Sequence, residues 1–231
     1  MFMHTTNRLF DALPSLARKR TLTNCTMIDL ASGTVLAEPG TPTDHVYFPL
    51  TAFFALVTKV ETHKPFAMAL IGNEGMLGAT QLLDIDDAPL RSVVLGNGSA
   101  LRMSSAHFRR EIEERGALSR LLKRYLFVLL LEIAQSSACG RFHQVDARLA
   151  RCLLLIHDRV HADRFSFTHA FLADLLGVRR SAVSIAAGRL QRRRLIRYSR
   201  GEITVLSRDG LERESCSCHA TAAANYAYWL G

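Results

Sequence analysis

Between Arg179 and Arg200 the sequence holds eight arginines and no acidic residue. A guanidinium presents its donors in a fixed fork, which matches phosphate oxygens or the O6 and N7 edge of guanine. The chemistry on offer is therefore polyanion binding rather than bond making. The segment around these arginines has its own signature. Thr168 can cap a helix that runs through Leu172, Ala173, Leu175 and Leu176. Gly177 follows where a turn needs a positive φ. A second helix then opens with Arg179, Arg180 and Ser181, with Ser184 one turn on and Val183 and Leu190 on its apolar face. This is the spacing of a helix-turn-helix. In that motif the start of the second helix enters the major groove, so Arg179, Arg180, Ser181 and Ser184 are the candidate DNA-reading residues. Arg189 and Arg192 to Arg194 are expected on phosphates, where they add affinity and salt dependence without sequence choice. Arg197 to Leu206 reads as strand, glycine turn, strand, a wing with Arg200 near its tip.

Other chemistries find less support. Cysteines stand at positions 25, 139, 152, 216 and 218. Cys216-Ser217-Cys218-His219 could be half of a metal site, but a structural site needs about four ligands and no second cluster is visible, so no metal is expected. His45, His63, His107, His143 and His157 show no metal spacing. No nucleophile or phosphate-loop motif accompanies them, and no enzyme is expected. The chain opens without a charged and then apolar leader, and its longest apolar run, Leu126–Leu131, is far too short to span a bilayer. A cytoplasmic chain with free thiols and no membrane partner is expected.

The elements that must position the arginines come next. The chain has 231 residues, 48% hydrophobic and 22% charged, which suits one large domain or two small ones. Its formal charge is +8, of which residues 1–138 carry +1 and residues 139–231 carry +7. The basic excess thus belongs to the C-terminal part, which lacks the aromatic platforms expected of a single-stranded RNA binder. Asn7 to Leu16 reads as a short helix. From Met27 to Met103, apolar runs such as His45–Phe48, Phe53–Val60, Phe66–Ile71 and Arg91–Leu95 alternate with Gly, Pro and Asn turns, the texture of a β-barrel or jelly roll. Ser104 and Ser105 open a helical stretch. Leu118–Ser137 is a long helix whose centre, Tyr125–Leu131, is apolar on nearly every face. Such a helix needs two burial partners, its own β-domain and a second subunit; burial within one chain is the alternative. Gly140–Gln144 reads as a hinge, Val145–Val160 as a helix and Ala220–Gly231 as a helical tail. The fold class is α+β, with a β-roll domain over 1–116, a central dimerisation helix and hinge over 117–140 and a winged helix-turn-helix over 141–231.

With these elements in place, residues 7–215 resemble the Crp/Fnr superfamily of transcription regulators. The most specific stretches are Phe167–Ile196 with the hairpin after it, and Asp146–Leu154 after the hinge. The resemblance implies a cyclic-nucleotide-binding-like jelly roll, a homodimer through Leu118–Ser137, a two-fold-symmetric double-stranded DNA site and RNA polymerase as a partner. Family base contacts carry over onto Arg179, Arg180 and Ser181, then Ser184 or Ile185. Phosphate contacts carry over onto Thr168, Arg179 and the wing at Ser199 and Arg200. The cyclic-AMP-type members have an acidic residue where Ser181 stands, so a different base preference is expected. The ligand cassette also departs from the family. Gly78, Arg91 and Ser92 match it, but Ala79 replaces the glutamate that accepts from the ribose hydroxyl. Losing that charge-assisted bond costs about 1.5–3 kcal/mol. Gly78, Arg91 and Ser92 are the candidate ligand-binding residues, but Asp84, Asp86 and Asp87 oppose an anionic ligand, and the alternative for Arg91 is a structural arginine paired with one of them. Control by cyclic AMP is therefore not expected, and no cofactor is. The alternative is a regulatory module that senses another small molecule, with DNA binding secondary.

Overall fold

The computed structural model describes residues 7–59, 61–62, 65–160 and 162–231; Val60 and His63 lie outside them. The chain divides into two compact units. Met1–Val57, Ala69–Leu131 and Asn225–Gly231 make the first, and Thr58–Met68 with Glu132–Ala224 the second.

In the first unit, α1 (Arg8–Asp11) is capped by Asn7, whose side-chain oxygen accepts from the Leu9 N–H at 3.0 Å. Asn7 is wholly buried, and its amide donates to the carbonyls of Pro49 (3.0 Å) and Gly75 (2.9 Å). One polar side chain therefore joins three segments, with its main groups satisfied as burial demands. α2 (Ser15–Thr23) follows. The single helix expected over Asn7–Leu16 is two, because Pro14 has no N–H to continue the ladder and serves as the N-cap of α2.

Seven strands come next: β1 (Thr26–Leu30), β2 (Val35–Ala37), β3 (His45–Pro49), β4 (Phe53–Thr58), β5 (Phe66–Ile71), β6 (Arg91–Gly96) and β7 (Gly98–Ser104). They form one sheet of order β1-β7-β3 and another of order β2-β6-β4-β5. The alternation of apolar runs and turns thus yields the expected β-roll. Phe48, Phe53, Phe54, Met76, Val94 and Met103 fill its core, and Phe10 packs on Phe48 with ring centroids 4.6 Å apart. α3 (Ser105–Glu113) is capped by Ser104, which accepts from the His107 N–H.

The long helix α4 (Ala117–Phe142) buries Leu118, Leu122, Tyr125 and Val128, a stripe at helical spacing. Tyr125 donates from its hydroxyl to the Met76 carbonyl at 3.0 Å. Phe127 and Leu130 remain 42% and 61% exposed, so the helix does present apolar side chains beyond its own core. Trp229 meets the ring of Phe127 edge-on at 5.0 Å.

The second unit contains α5 (Val145–Val160), β8 (Arg164–Ser166), α6 (His169–Leu176), α7 (Arg180–Arg192), β9 (Ile196–Ser199), β10 (Glu202–Val205) and α8 (Arg208–Glu214); α9 (Cys218–Leu230) begins in it. α5 packs against α6, α7 and α8, and the sheet order is β8-β10-β9. Leu149, Leu153, Ile156, Leu172, Val183, Leu190, Ile203 and Leu211 form the core.

Tyr125 gives this fold a direct test. Tyr125→Phe leaves the buried Met76 carbonyl without its donor and should cost about 1–2 kcal/mol in urea unfolding. Gly75→Ala should cost about 1–3 kcal/mol, because a Cβ there would lie 2.5 Å from the Tyr125 hydroxyl.

Candidate nucleic-acid interface

Thr168 is the N-cap of α6, and its Oγ1 accepts from the Phe171 N–H at 3.1 Å. α6 ends at Gly177, which has φ +63. The Gly177 N–H reaches the Asp174 carbonyl at 3.3 Å, and the Val178 N–H reaches that of Ala173 at 3.0 Å. These are the two bonds of a Schellman motif, and they satisfy carbonyls that the helix end would otherwise leave open. Arg179, extended at φ −72 and ψ 144, is the N-cap of α7 rather than its first helical residue. No side chain caps this helix, so its first N–H groups and the positive end of its dipole stay available to an anion.

Arg179, Arg180, Ser181, Ser184 and Ile185 are all exposed. Ser184 is already engaged: its hydroxyl lies 2.9 Å from His169 Nδ1, and the His169 ring stacks on Tyr198 at 4.0 Å. Burial, and secondarily the charge of Arg180, hold the His169 pKa below its ordinary value. Further along α7, Arg189 pairs with Asp146 and Arg193 with Glu214. Arg179, Arg180, Arg192, Arg194, Arg197 and Arg200 are exposed with no acidic partner among the described residues.

The wing turns at Arg200 (φ +52) and Gly201 (φ +84) between paired β9 and β10. Two successive positive φ values make the two-residue turn that suits the twist of a hairpin. Ser199 and Arg200 are exposed there. β8, which the sequence reading did not anticipate, adds a third strand through Glu202↔Ser166, Ile203↔Phe165 and Thr204↔Arg164.

Residues 147–214 match the model of the Crp-like helix-turn-helix domain. The chain carries a Crp-like helix-turn-helix domain on a Crp/Fnr fold. Solved structures share that fold at low identity. FixK2 from Bradyrhizobium japonicum superposes with a TM-score of 0.68 at 14% identity, over 83% of this chain and 98% of its own. TTHB099, a transcriptional regulator of the CRP family from Thermus thermophilus, gives 0.67 at 18%, over 81% and 96%. CLP, the c-di-GMP responsive global regulator of Xanthomonas campestris, gives 0.64 at 15%, over 84% and 100%. No curated protein sequence matches the chain. Among the described residues no helix is long and apolar enough to cross a membrane.

In the β-roll of this Crp/Fnr fold, Gly78 has φ +90 and precedes a 3-10 turn over Ala79–Leu83. Ala79 is buried, and Gln81 inside the turn donates to Thr43 Oγ1 (2.9 Å) and Ser105 Oγ (2.8 Å). Strand alternation sends Ser92 inward, at 2% exposure, and its neighbour Arg91 outward. The alternative that Arg91 pairs with an aspartate of the 84–87 loop is corrected in its partner. Arg91 Nε faces Glu38 at 3.5 Å, while Asp86 is held by Arg109 at 2.6 Å. The cassette matches therefore do not converge: Ser92 belongs to the interior and Arg91 to the surface.

The expectation that Cys216 and Cys218 lack companions is also corrected. Cys139 and His143, four residues apart near the end of α4, join them, and the four potential ligand atoms lie within 4.8 Å of one another. His219, which the sequence places beside this pair, turns instead to Asp158 at 3.5 Å. The signal available in the sequence was the i, i+4 spacing of Cys139 and His143, which puts both on one helix face.

Two outcomes follow from this geometry. Arg194 sits at φ +57 after α7, in a second Schellman motif with Arg194 N–H to the Gln191 carbonyl (2.9 Å) and Leu195 N–H to that of Leu190 (3.0 Å). A non-glycine residue in that region costs about 1–2 kcal/mol. Arg194→Gly should raise the Tm while weakening DNA binding on every sequence. Asp158 gives the second. Burial pushes its carboxyl up, but hydrogen bonds from His219 and Arg208 outweigh burial and bring it from 3.8 down to about 2. A depressed carboxylate stabilises the fold above its ordinary range, and that contribution disappears as the pH falls towards 2. Asp158→Asn should lower the Tm at pH 7, with a deficit that shrinks between pH 3.8 and about 2 in a thermal-melt series.

Proposed function

We propose that the chain is a sequence-specific DNA-binding transcription regulator that acts as a cytoplasmic homodimer on a two-fold-symmetric site, without control by cyclic AMP. One observation carries this reading. Six exposed arginines without acidic partners lie at the start of α7, at its end and along the wing, flanking a helix N-terminus that no side chain caps. Buried elements fix the backbone beneath them, so the charges are presented in place rather than recruited. Arg180 and Ser181 open the helix and take base edges, with Ser184 one turn on, oriented by His169. Thr168, Arg179, Ser199 and Arg200 take phosphates. Arg189, tied to Asp146, contributes to phosphate binding only if it exchanges that partner.

Exposed Phe127 and Leu130 support a dimer through α4, whose symmetry would be matched by the DNA site. RNA polymerase is the proposed protein partner, and the chain is not proposed to be an enzyme. The absence of cyclic AMP control rests on buried Ala79 and on the outward, Glu38-paired Arg91. Neither can supply what a cyclic nucleotide's ribose and phosphate require.

Selection of random double-stranded DNA by the purified chain, with and without cyclic AMP, tests the reading. A two-fold-symmetric site enriched equally in both samples is expected. Enrichment only with cyclic AMP would overturn the ligand assignment, and no enrichment in either would overturn the DNA assignment. On the selected site, Arg180→Ala should cost about 1–3 kcal/mol and relax preference at one position per half-site. Arg200→Ala should weaken binding to all sequences and reduce the salt slope by about one. Identical behaviour of the two variants on every sequence would refute these separate roles.

A further inference from the structure

Three cysteines and one histidine of the second unit converge on a single point, and the DNA-binding reading uses none of them. Cys139 lies in the last turn of α4 and His143 directly follows the helix, its N–H donating to the Cys139 carbonyl at 3.1 Å. Cys216 lies between α8 and α9, and Cys218 is the first residue of α9. Cys139, Cys216 and Cys218 are 2%, 7% and 0% exposed. The Sγ atoms of Cys139 and Cys216 are 3.5 Å apart, as are Cys218 Sγ and His143 Nδ1, and all four ligand atoms fall within 4.8 Å of one another. A disulfide would hold two sulfurs at about 2.04 Å, and all five cysteines are free.

The two 3.5 Å spacings match the edges around one ion, and the remaining ones lie within 4.8 Å, close enough for the side chains to draw in around it. With metal–sulfur bonds of about 2.3 Å and a metal–nitrogen bond of about 2.0 Å, a tetrahedron has edges of roughly 3.5–3.8 Å. An iron–sulfur cluster spreads its protein ligands over two or four irons, so ligand atoms on different irons would need to lie farther apart than 4.8 Å. Soft thiolates with one imidazole select zinc among the common divalent ions, and three cysteines with one histidine are a closed structural set. We propose that Cys139, His143, Cys216 and Cys218 form a structural site for one zinc ion per chain.

The surroundings suit that charge. Three thiolates and a neutral imidazole around a divalent ion carry a net charge of −1. Arg151, nine-tenths buried, supplies a positive charge that acts on Cys139, and its Nε has no hydrogen-bond partner. Gln135 Nε2 donates to Cys218 Sγ at 2.9 Å, the kind of outer bond that orients a ligand sulfur. Cys139 and Arg151 also line a cavity of about 980 Å³, a route for the ion to enter. The ion would join residues 77 apart in sequence, on either side of the Crp-like domain at 147–214. Such a link closes the domain at both ends, and its binding energy adds to folding.

Metal analysis of the purified full chain, kept reduced, is the test, followed by replacement of zinc with cobalt(II). About one zinc per chain is expected, and the cobalt form should show the strong ligand-field bands of a tetrahedral site with thiolate-to-cobalt charge transfer. Cys139→Ser and His143→Ala should lose that spectrum or bind cobalt more than tenfold more weakly, while Cys25→Ser keeps it. Gln135→Ala should weaken zinc affinity roughly tenfold. Stripping the metal should lower the Tm of the native chain. The wild-type spectrum is independent of whether any variant folds. A reduced chain that takes up neither zinc nor cobalt would overturn the proposal. So would stoichiometric iron with acid-labile sulfide, or a Cys139–Cys216 disulfide in the freshly purified protein. None of these readouts depends on DNA, so failure here leaves the DNA assignment to its own test.

Discussion

The placement of the basic helix depends on one left-handed backbone residue. Gly177 closes α6 with both bonds of a Schellman motif, and its φ of +63 lets the chain reverse within Gly177, Val178 and Arg179 before α7 begins. A side chain held at that φ costs about 1–2 kcal/mol, a sizeable part of a domain's net stability. The reversal brings buried Leu172 and Ala173 of α6 to a core shared with Val183, Ala186 and Ala187 of α7. The alanines are small, so the helices can approach closely, and the opposite face of α7 is left polar and basic apart from exposed Ile185. Every proposed base contact inherits its position from this packing.

The arginines of α7, its ends and the wing carry an electrostatic load. Six arginines without acidic partners repel one another, and only solvent and salt screen them in the free protein. The sequence places acids where they steady the scaffold instead: Asp146 takes Arg189, Glu214 takes Arg193, and Glu202 takes Arg164. Exposed pairs of this kind contribute little stability, typically under about 1 kcal/mol. Their main effect is to hold the side chains of Arg164, Arg189 and Arg193 against the scaffold. The same division explains His169. A neutral ring stacked on Tyr198 and bonded to Ser184 adds no further positive charge beside Arg180.

What the sequence makes legible follows contact range. The helix-turn-helix and wing are local: caps, a turn glycine, helical apolar spacing and an arginine–glycine turn all act within a few residues, and they appear where the periodicity puts them. The β-roll is legible as texture, and Pro14 marks a break that an uninterrupted helix over Asn7–Leu16 overlooks. Long-range partners are different. Arg91 lies close in sequence to three aspartates, yet strand alternation turns it to Glu38, 53 residues earlier. β8 is three residues long and gains its identity only by pairing with β10. Cys216 and Cys218 look incomplete because their companions sit about 75 residues away.

α4 shows why the cluster is where it is. Up to Leu131 the helix has two apolar demands: a core stripe through Leu118, Leu122, Tyr125 and Val128, and exposed Phe127 and Leu130. Together they make Tyr125–Leu131 apolar on nearly every face, while Ser119, Arg120, Lys123 and Arg124 hold the polar positions before it. At Glu132 the composition switches, and Gln135, Ser136, Ser137, Cys139 and His143 follow. The division between the two units falls at the same point, between Leu131 and Glu132. Past it the helix belongs to the second unit, whose side chains must give it order to the end of its last turn. Glu132 begins to supply it through a buried pair with Arg159, whose oxygen and nitrogen are 3.8 Å apart with both side chains 4% exposed. A buried pair fixes geometry more than it adds stability. A four-ligand centre at Cys139 and His143 would anchor the final turn by bonds that desolvation does not weaken.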